Sequence, residues 1–74
     1  MDSTYDAKNN LAYLSLTDDD RMGRVVRSVT LLDTAVNDDI VMDFDDDGHL
    51  IGLEFLNARQ SLRPEVLERA RPIK

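Results

Sequence analysis

Seventy-four residues with no cysteine exclude a disulfide framework and a thiolate site, and leave room for one domain with a thin core. Fifteen acids against nine bases give a net charge of −6, an unfavourable balance for a nucleic-acid binder, which needs clustered Lys and Arg to neutralise phosphates. Hydrophobic content of 42% suffices for a folded domain, no apolar run is long enough to span a bilayer and no leader segment is visible, so the expectation is a soluble cytoplasmic protein.

In chain order, Met1 to Asn9 is polar and marks no element. Asn10 to Thr17 (N-L-A-Y-L-S-L-T) is a short apolar run that reads as a strand near 10–17. Asp18 to Gly23 is a polar loop. Arg24 to Leu32 (R-V-V-R-S-V-T-L-L) is rich in β-branched residues and reads as a strand near 24–32, followed by a turn over Asp33 to Asp38. Residues 39–46 and 49–56 read as two strands of a hairpin around Asp47-Gly48.

With those two residues at the centre of a type I′ turn, Asp46 lies opposite His49. Phe44 then faces Ile51, Met42 faces Leu53 and Ile40 faces Phe55, which puts all six apolar side chains on one side. The other side holds Val41, Asp43, Asp45, Leu50, Gly52, Glu54 and Leu56. A three-residue loop would instead pair Asp43 with Ile51 and bury acids among core residues. Phe44, Ile51, Leu53 and Phe55 are therefore the expected core.

The tail reads as a helix near 63–71. Pro64 suits its first position, Leu62, Val66, Leu67 and Ala70 form an apolar stripe, and Pro72 ends it. At that length the stripe must pack on a sheet or on a second subunit. The expected fold is α+β: an antiparallel β-meander of about four strands with a C-terminal helix packed on it, one small domain over residues 1–74.

Asp43 to Glu54 also satisfies the calcium-loop pattern D-x-D-x-D-G-x5-E, with Asp43, Asp45, Asp47 and Glu54 as metal candidates. The flanks argue for the hairpin: Asp39 to Met42 make a poor incoming helix, Gly52 weakens an outgoing one, and no second such loop occurs. In a hairpin Glu54 would lie roughly 13 Å from Asp45 at the usual rise per residue, too far for the carboxylates to converge. His49, the single histidine, reads as a solvated turn residue, and Asp18-Asp19-Asp20 as solvated loop acids. No catalytic triad, nucleophile elbow or phosphate-cradling loop is present, so no enzyme activity and no cofactor is expected.

Charge is segregated. Residues 1–56 carry four bases against thirteen acids, a net of −9, whereas residues 57–74 carry five bases against two acids, a net of +3. The acidic body would attract a basic protein or the basic tail of a second copy.

Tyr5-Asp6, the run Asn10 to Leu16, and Val41 to Ala58 (V-M-D-F-D-D-D-G-H-L-I-G-L-E-F-L-N-A) resemble the bacterial "domain of unknown function 2283" family. Asn10 and Phe44 stand where that family's pattern has Asp and Tyr. The resemblance implies the hairpin and brings no established activity; some members resemble small partners in toxin–antitoxin-like gene pairs. Two readings follow. The first is a non-enzymatic interaction module, a homodimer. The second is divalent-metal (calcium) binding through Asp43, Asp45, Asp47 and Glu54.

Overall fold

The computed structural model describes residues 1–17, 24–31 and 40–73. The loops read over Asp18 to Gly23 and Asp33 to Asp38 lie outside them.

The architecture is α+β, as its alternating runs and amphipathic tail require. Six strands make one sheet: β1 (Asp2–Asp6), β2 (Leu11–Ser15), β3 (Arg27–Leu31), β4 (Ile40–Phe44), β5 (Leu50–Phe55) and β6 (Arg71–Pro72). Two short helices, α1 (Ala58–Ser61) and α2 (Pro64–Arg69), fall between β5 and β6. The spatial order is β3-β4-β5-β2-β1-β6, and the β1–β6 pair is parallel while the others are antiparallel.

This corrects the four-stranded meander. β2 pairs with β5 rather than with β3, so the chain leaves the sheet centre after β2 and returns to it with β5. β1 adds a strand where the sequence shows only polar residues; Thr4 and Tyr5 are good strand formers, but alternation with Asp2, Ser3 and Asp6 leaves no hydrophobic period. The turn after it is held by Asp6, whose carboxylate accepts the Asn9 backbone N–H at 3.2 Å and the Asn9 amide at 2.9 Å. Those bonds, led by the Asn9 side chain, hold the Asp6 carboxyl below its usual value. Asn10 then takes the left-handed conformation at φ 58, which Asn tolerates better than most residues.

The hairpin keeps the expected far register, Met42 opposite Leu53 and Ile40 opposite Phe55. Its turn differs. Asp45, not Asp46, closes on His49, with the Asp45 N–H donating to the His49 carbonyl at 3.0 Å. The loop is therefore the three residues Asp46, Asp47 and Gly48, with Gly48 at φ 82. A register shift at Asp43/Phe44 places Phe44 opposite Leu50 instead of Ile51 and restores the pairing beyond. The acids that a three-residue loop would have buried stay out of the apolar face because the extra residue is absorbed by this bulge.

The tail helix is shorter than residues 63–71. Ala70 is already extended, and Arg71, extended ahead of Pro72, pairs with Thr4. The stripe expected on it turns toward the sheet but is only partly covered: Leu62, Val66, Leu67 and Ala70 line a cleft with Ala12, Leu14 and Phe55, no residue of α2 is buried, and Val66 is 44% exposed. α1 is too short to show a helical period in the sequence; Ala58 at its start is fully buried. The core is thin. Of the four expected core residues, Ile51 is 2% exposed, while Phe44, Leu53 and Phe55 are half-buried.

Candidate functional site

Two arrangements of polar side chains stand out, and both grow from the β4–β5 hairpin.

The first is the Asp45 turn. The side chain is buried at 4% exposure because the loop folds over it. One carboxylate oxygen accepts the backbone N–H groups of His49 at 2.9 Å and Asp47 at 3.0 Å, and the other meets the Arg24 guanidinium at 3.3 Å. The His49 N–H above all, then the Asp47 N–H, the His49 charge and Arg24, hold this carboxyl below the usual aspartate range against the opposing effect of burial. Asp45 is thus an ionised staple for the loop, the device by which Asp competes for turn backbone. Asp47 and His49 are exposed, and with Asp45 they bring one ligand atom each to within 4.8 Å of one another.

The second crosses four strands. Ser28 on β3 stands opposite Asp43 on β4, and Asp43 opposite Gly52 on β5. Asp43 accepts the Ser28 hydroxyl at 2.7 Å and the Tyr13 hydroxyl at 2.8 Å. Tyr13 belongs to β2, so its ring must cross β5 to arrive. Gly52 makes that possible: a Cβ there would stand 1.8 Å from the Tyr13 hydroxyl oxygen and 2.4 Å from the ring carbon bearing it. Beside this bridge lies an open groove lined by Asp6, Leu11, Tyr13, Asp43, Glu54 and Ile73. Three carboxylates share it, so this face can accept hydrogen bonds and attract cationic groups.

The four metal candidates therefore separate into two pairs. Asp45 and Asp47 sit at the turn with His49, whereas Asp43 and Glu54 line the groove, Glu54 opposite Val41 and Tyr13. Asp18, Asp19 and Asp20 lie outside the described residues.

Sequence reasoning missed three positions. Gly52 inside a strand was a signal of close approach by a neighbouring group. Asn10 clamps α1: its carbonyl accepts the Ala58 N–H at 3.0 Å, its side-chain oxygen the Arg59 N–H at 2.8 Å, and its amide donates to Gln60 at 3.0 Å. An Asp there would keep both acceptors and lose the donor. Arg59 in turn reaches the Tyr5 hydroxyl at 3.0 Å and the Ala7 carbonyl at 3.1 Å. No local pattern announces those long-range bonds.

Among the described residues no helix is long and apolar enough to cross a membrane. A small acidic sheet domain, with its polar side chains spent on bracing strands and turns, is the class these features define. The chain belongs to the family described as protein of unknown function (DUF2283), whose model matches residues 3–59. That match takes in β1 from Ser3, β2 to β5, both polar arrangements, and Asn10, Ala58 and Arg59 of the clamp on α1. No curated protein and no solved structure matches the chain.

Proposed function

We propose that the protein is a non-enzymatic interaction module that works as a homodimer, able to serve as the partner component of a toxin–antitoxin-like pair. One observation carries this reading. α2 shares a cleft with the β5-β2-β1 part of the sheet's apolar face and leaves Val66 at 44% and Ile73 at 50% exposure at that end, while the β3–β4 part has no helix over it among the described residues and keeps Leu31 at 42% exposure and Val29, Ile40, Met42 and Phe44 half-buried. Val26 at 63% and Leu50 at 37% extend the same end of the sheet. Contiguous exposed apolar surface on so small a chain marks an association site, and two-fold dimers are the commonest closed assembly. Sedimentation at micromolar concentration tests it: a species of twice the 8.4 kDa chain mass is expected, and a single species at the chain mass overturns the homodimer.

The divalent-cation reading through Asp43, Asp45, Asp47 and Glu54 draws on the closeness of Asp45, Asp47 and His49. Against it, Asp45 already accepts two N–H groups and Arg24, and Asp43 two hydroxyls. Calcium titration followed by backbone amide shifts decides between them: saturable, micromolar shifts centred on Gly48 would establish the cation site.

A further inference from the structure

The sheet has two edges of opposite character. At one, β6 is two residues long, contains Pro72, which has no N–H to offer, and ties Arg71 to Asp2. At the other, β3 is five residues long, has no proline, lysine or acid, and is the last strand on that side among the described residues. Short length, proline and charge are the usual means of keeping an edge from pairing. All three are used at β6, whereas β3 carries only the single charge of Arg27.

The backbone shows which groups this edge presents. The Phe44 carbonyl accepts the Val26 N–H at 3.0 Å, so Phe44, and by alternation Met42 and Ile40, turn their backbone groups toward β3. Their partners Arg27, Val29 and Leu31 answer them. Ser28 and Thr30 consequently turn their N–H and C=O groups outward.

We propose that β3 pairs antiparallel with β3 of a second copy of this chain, across a two-fold axis at Val29. The pairing rests on the homodimer reading and specifies its interface. Ser28 then lies opposite the partner's Thr30, and the reciprocal pair forms with it, giving about four backbone hydrogen bonds. Val29 meets the partner's Val29 as a close pair without backbone bonds between them. Arg27 faces the partner's Leu31, so its aliphatic stem covers a side chain left 42% exposed. No like charges oppose each other. The two Arg27 residues stand at opposite ends of the ladder, roughly 13 Å apart at the usual strand rise, which exceeds the screening length of about 8 Å at physiological ionic strength. Charge does not oppose pairing at this edge: residues 24–31 carry two arginines and no acid, and one of the two, Arg24, is held by Asp45.

The full-length chain and three variants test the pairing by sedimentation equilibrium and mild oxidation. Thr30→Pro removes an outward N–H and spares the bonds to β4, so a folded variant should dissociate at least about tenfold more readily than the wild type. Val29→Cys should oxidise to a covalent dimer, because Cα atoms of such a pair lie about 4.5 Å apart, within disulfide reach. Ser28→Cys should not, since its partner copy is displaced by two residues. The chain's lack of cysteine removes any background. A dimeric wild type whose folded Thr30→Pro variant keeps the same Kd, or whose Val29→Cys fails to cross-link, overturns the β3 pairing and leaves the homodimer reading standing. A monomeric wild type overturns both. If Thr30→Pro does not fold, the contrast between the two cysteine variants decides.

Discussion

The two halves of the sheet's apolar face have the same origin and different fates. Ala12, Leu14, Leu53 and Phe55 on one side, and Val29, Leu31, Ile40, Met42 and Phe44 on the other, all arise from period-two alternation and lie in register on neighbouring strands. The first group receives Leu62, Val66 and Leu67 from α2; the second receives nothing comparable among the described residues. Alternation decides which way a side chain points; coverage buries Ala12, leaves Leu14, Leu53 and Phe55 half-buried like Val29, Ile40, Met42 and Phe44, and leaves Leu31 on the open side exposed. A helix of six residues covers only half of a six-stranded face.

The largest test of this contrast is a pair of truncations. Phe55→Ala, under the helix, should cost about 3 kcal/mol in urea unfolding, the lower end of the range for aromatic truncation because Phe55 is half-buried. Phe44→Ala, on the open half, should cost about 1 kcal/mol in dilute solution, where no second copy covers it. Equal losses would break the distinction between the halves.

Gly52→Ala acts at the seam between them. The added Cβ displaces Tyr13, so the Asp43 bond is lost, at an expected cost of about 2 kcal/mol. In the Tyr13→Ala background the same substitution should cost much less; an undiminished cost would mean that the ring is not what requires the glycine.

The smallest effect is read by pH. Asp45 has its folded-state pKa lowered, so its contribution to stability is fully present above the unfolded value near 3.8 and is lost as pH falls through the folded value. Asp45→Asn should therefore lower stability near neutrality by an amount that does not depend on pH there, and flatten the acid limb of the stability curve. A carboxyl NMR titration placing the Asp45 midpoint at or above 3.8 would contradict the staple.

How much of this was legible follows the same division. The hairpin's far register could be read because Ile40, Met42, Leu53 and Phe55 alternate cleanly. Its turn could not: a two-residue loop and a three-residue loop plus one bulge yield the same pairing of Met42 with Leu53, and apolar patterning cannot tell them apart. Strand order was hidden because nothing local to Leu11–Ser15 states that its neighbour is β5 rather than β3. β1 and β6 are polar or short, and their pairing is set by the rest of the sheet. At the site, the D-x-D-x-D-G spacing sets Asp45 beside Asp43, Asp47 and Glu54 as a cation-ligand candidate, and no local pattern marks it as the acceptor that fastens its own loop. Tyr13 and Ser28 carry no sequence signal for Asp43; only Gly52 did, as a gap in an otherwise bulky strand.

That gap gives the sheet a gauge for its own assembly. With Gly52 in place, the Tyr13 ring lies across β5 and its hydroxyl reaches Asp43. Slide β5 by one residue against β2 and Ile51 or Leu53 occupies the seat; slide it by two and Leu50 or Glu54 does. Each brings a side chain where there is no room for a Cβ, and each strands the Asp43 carboxylate without one of its donors. A wrong alignment is thus penalised at the β2–β5 pair itself. In a chain too small to correct errors by burying a large core, a single missing methyl group proofreads the central strand pair.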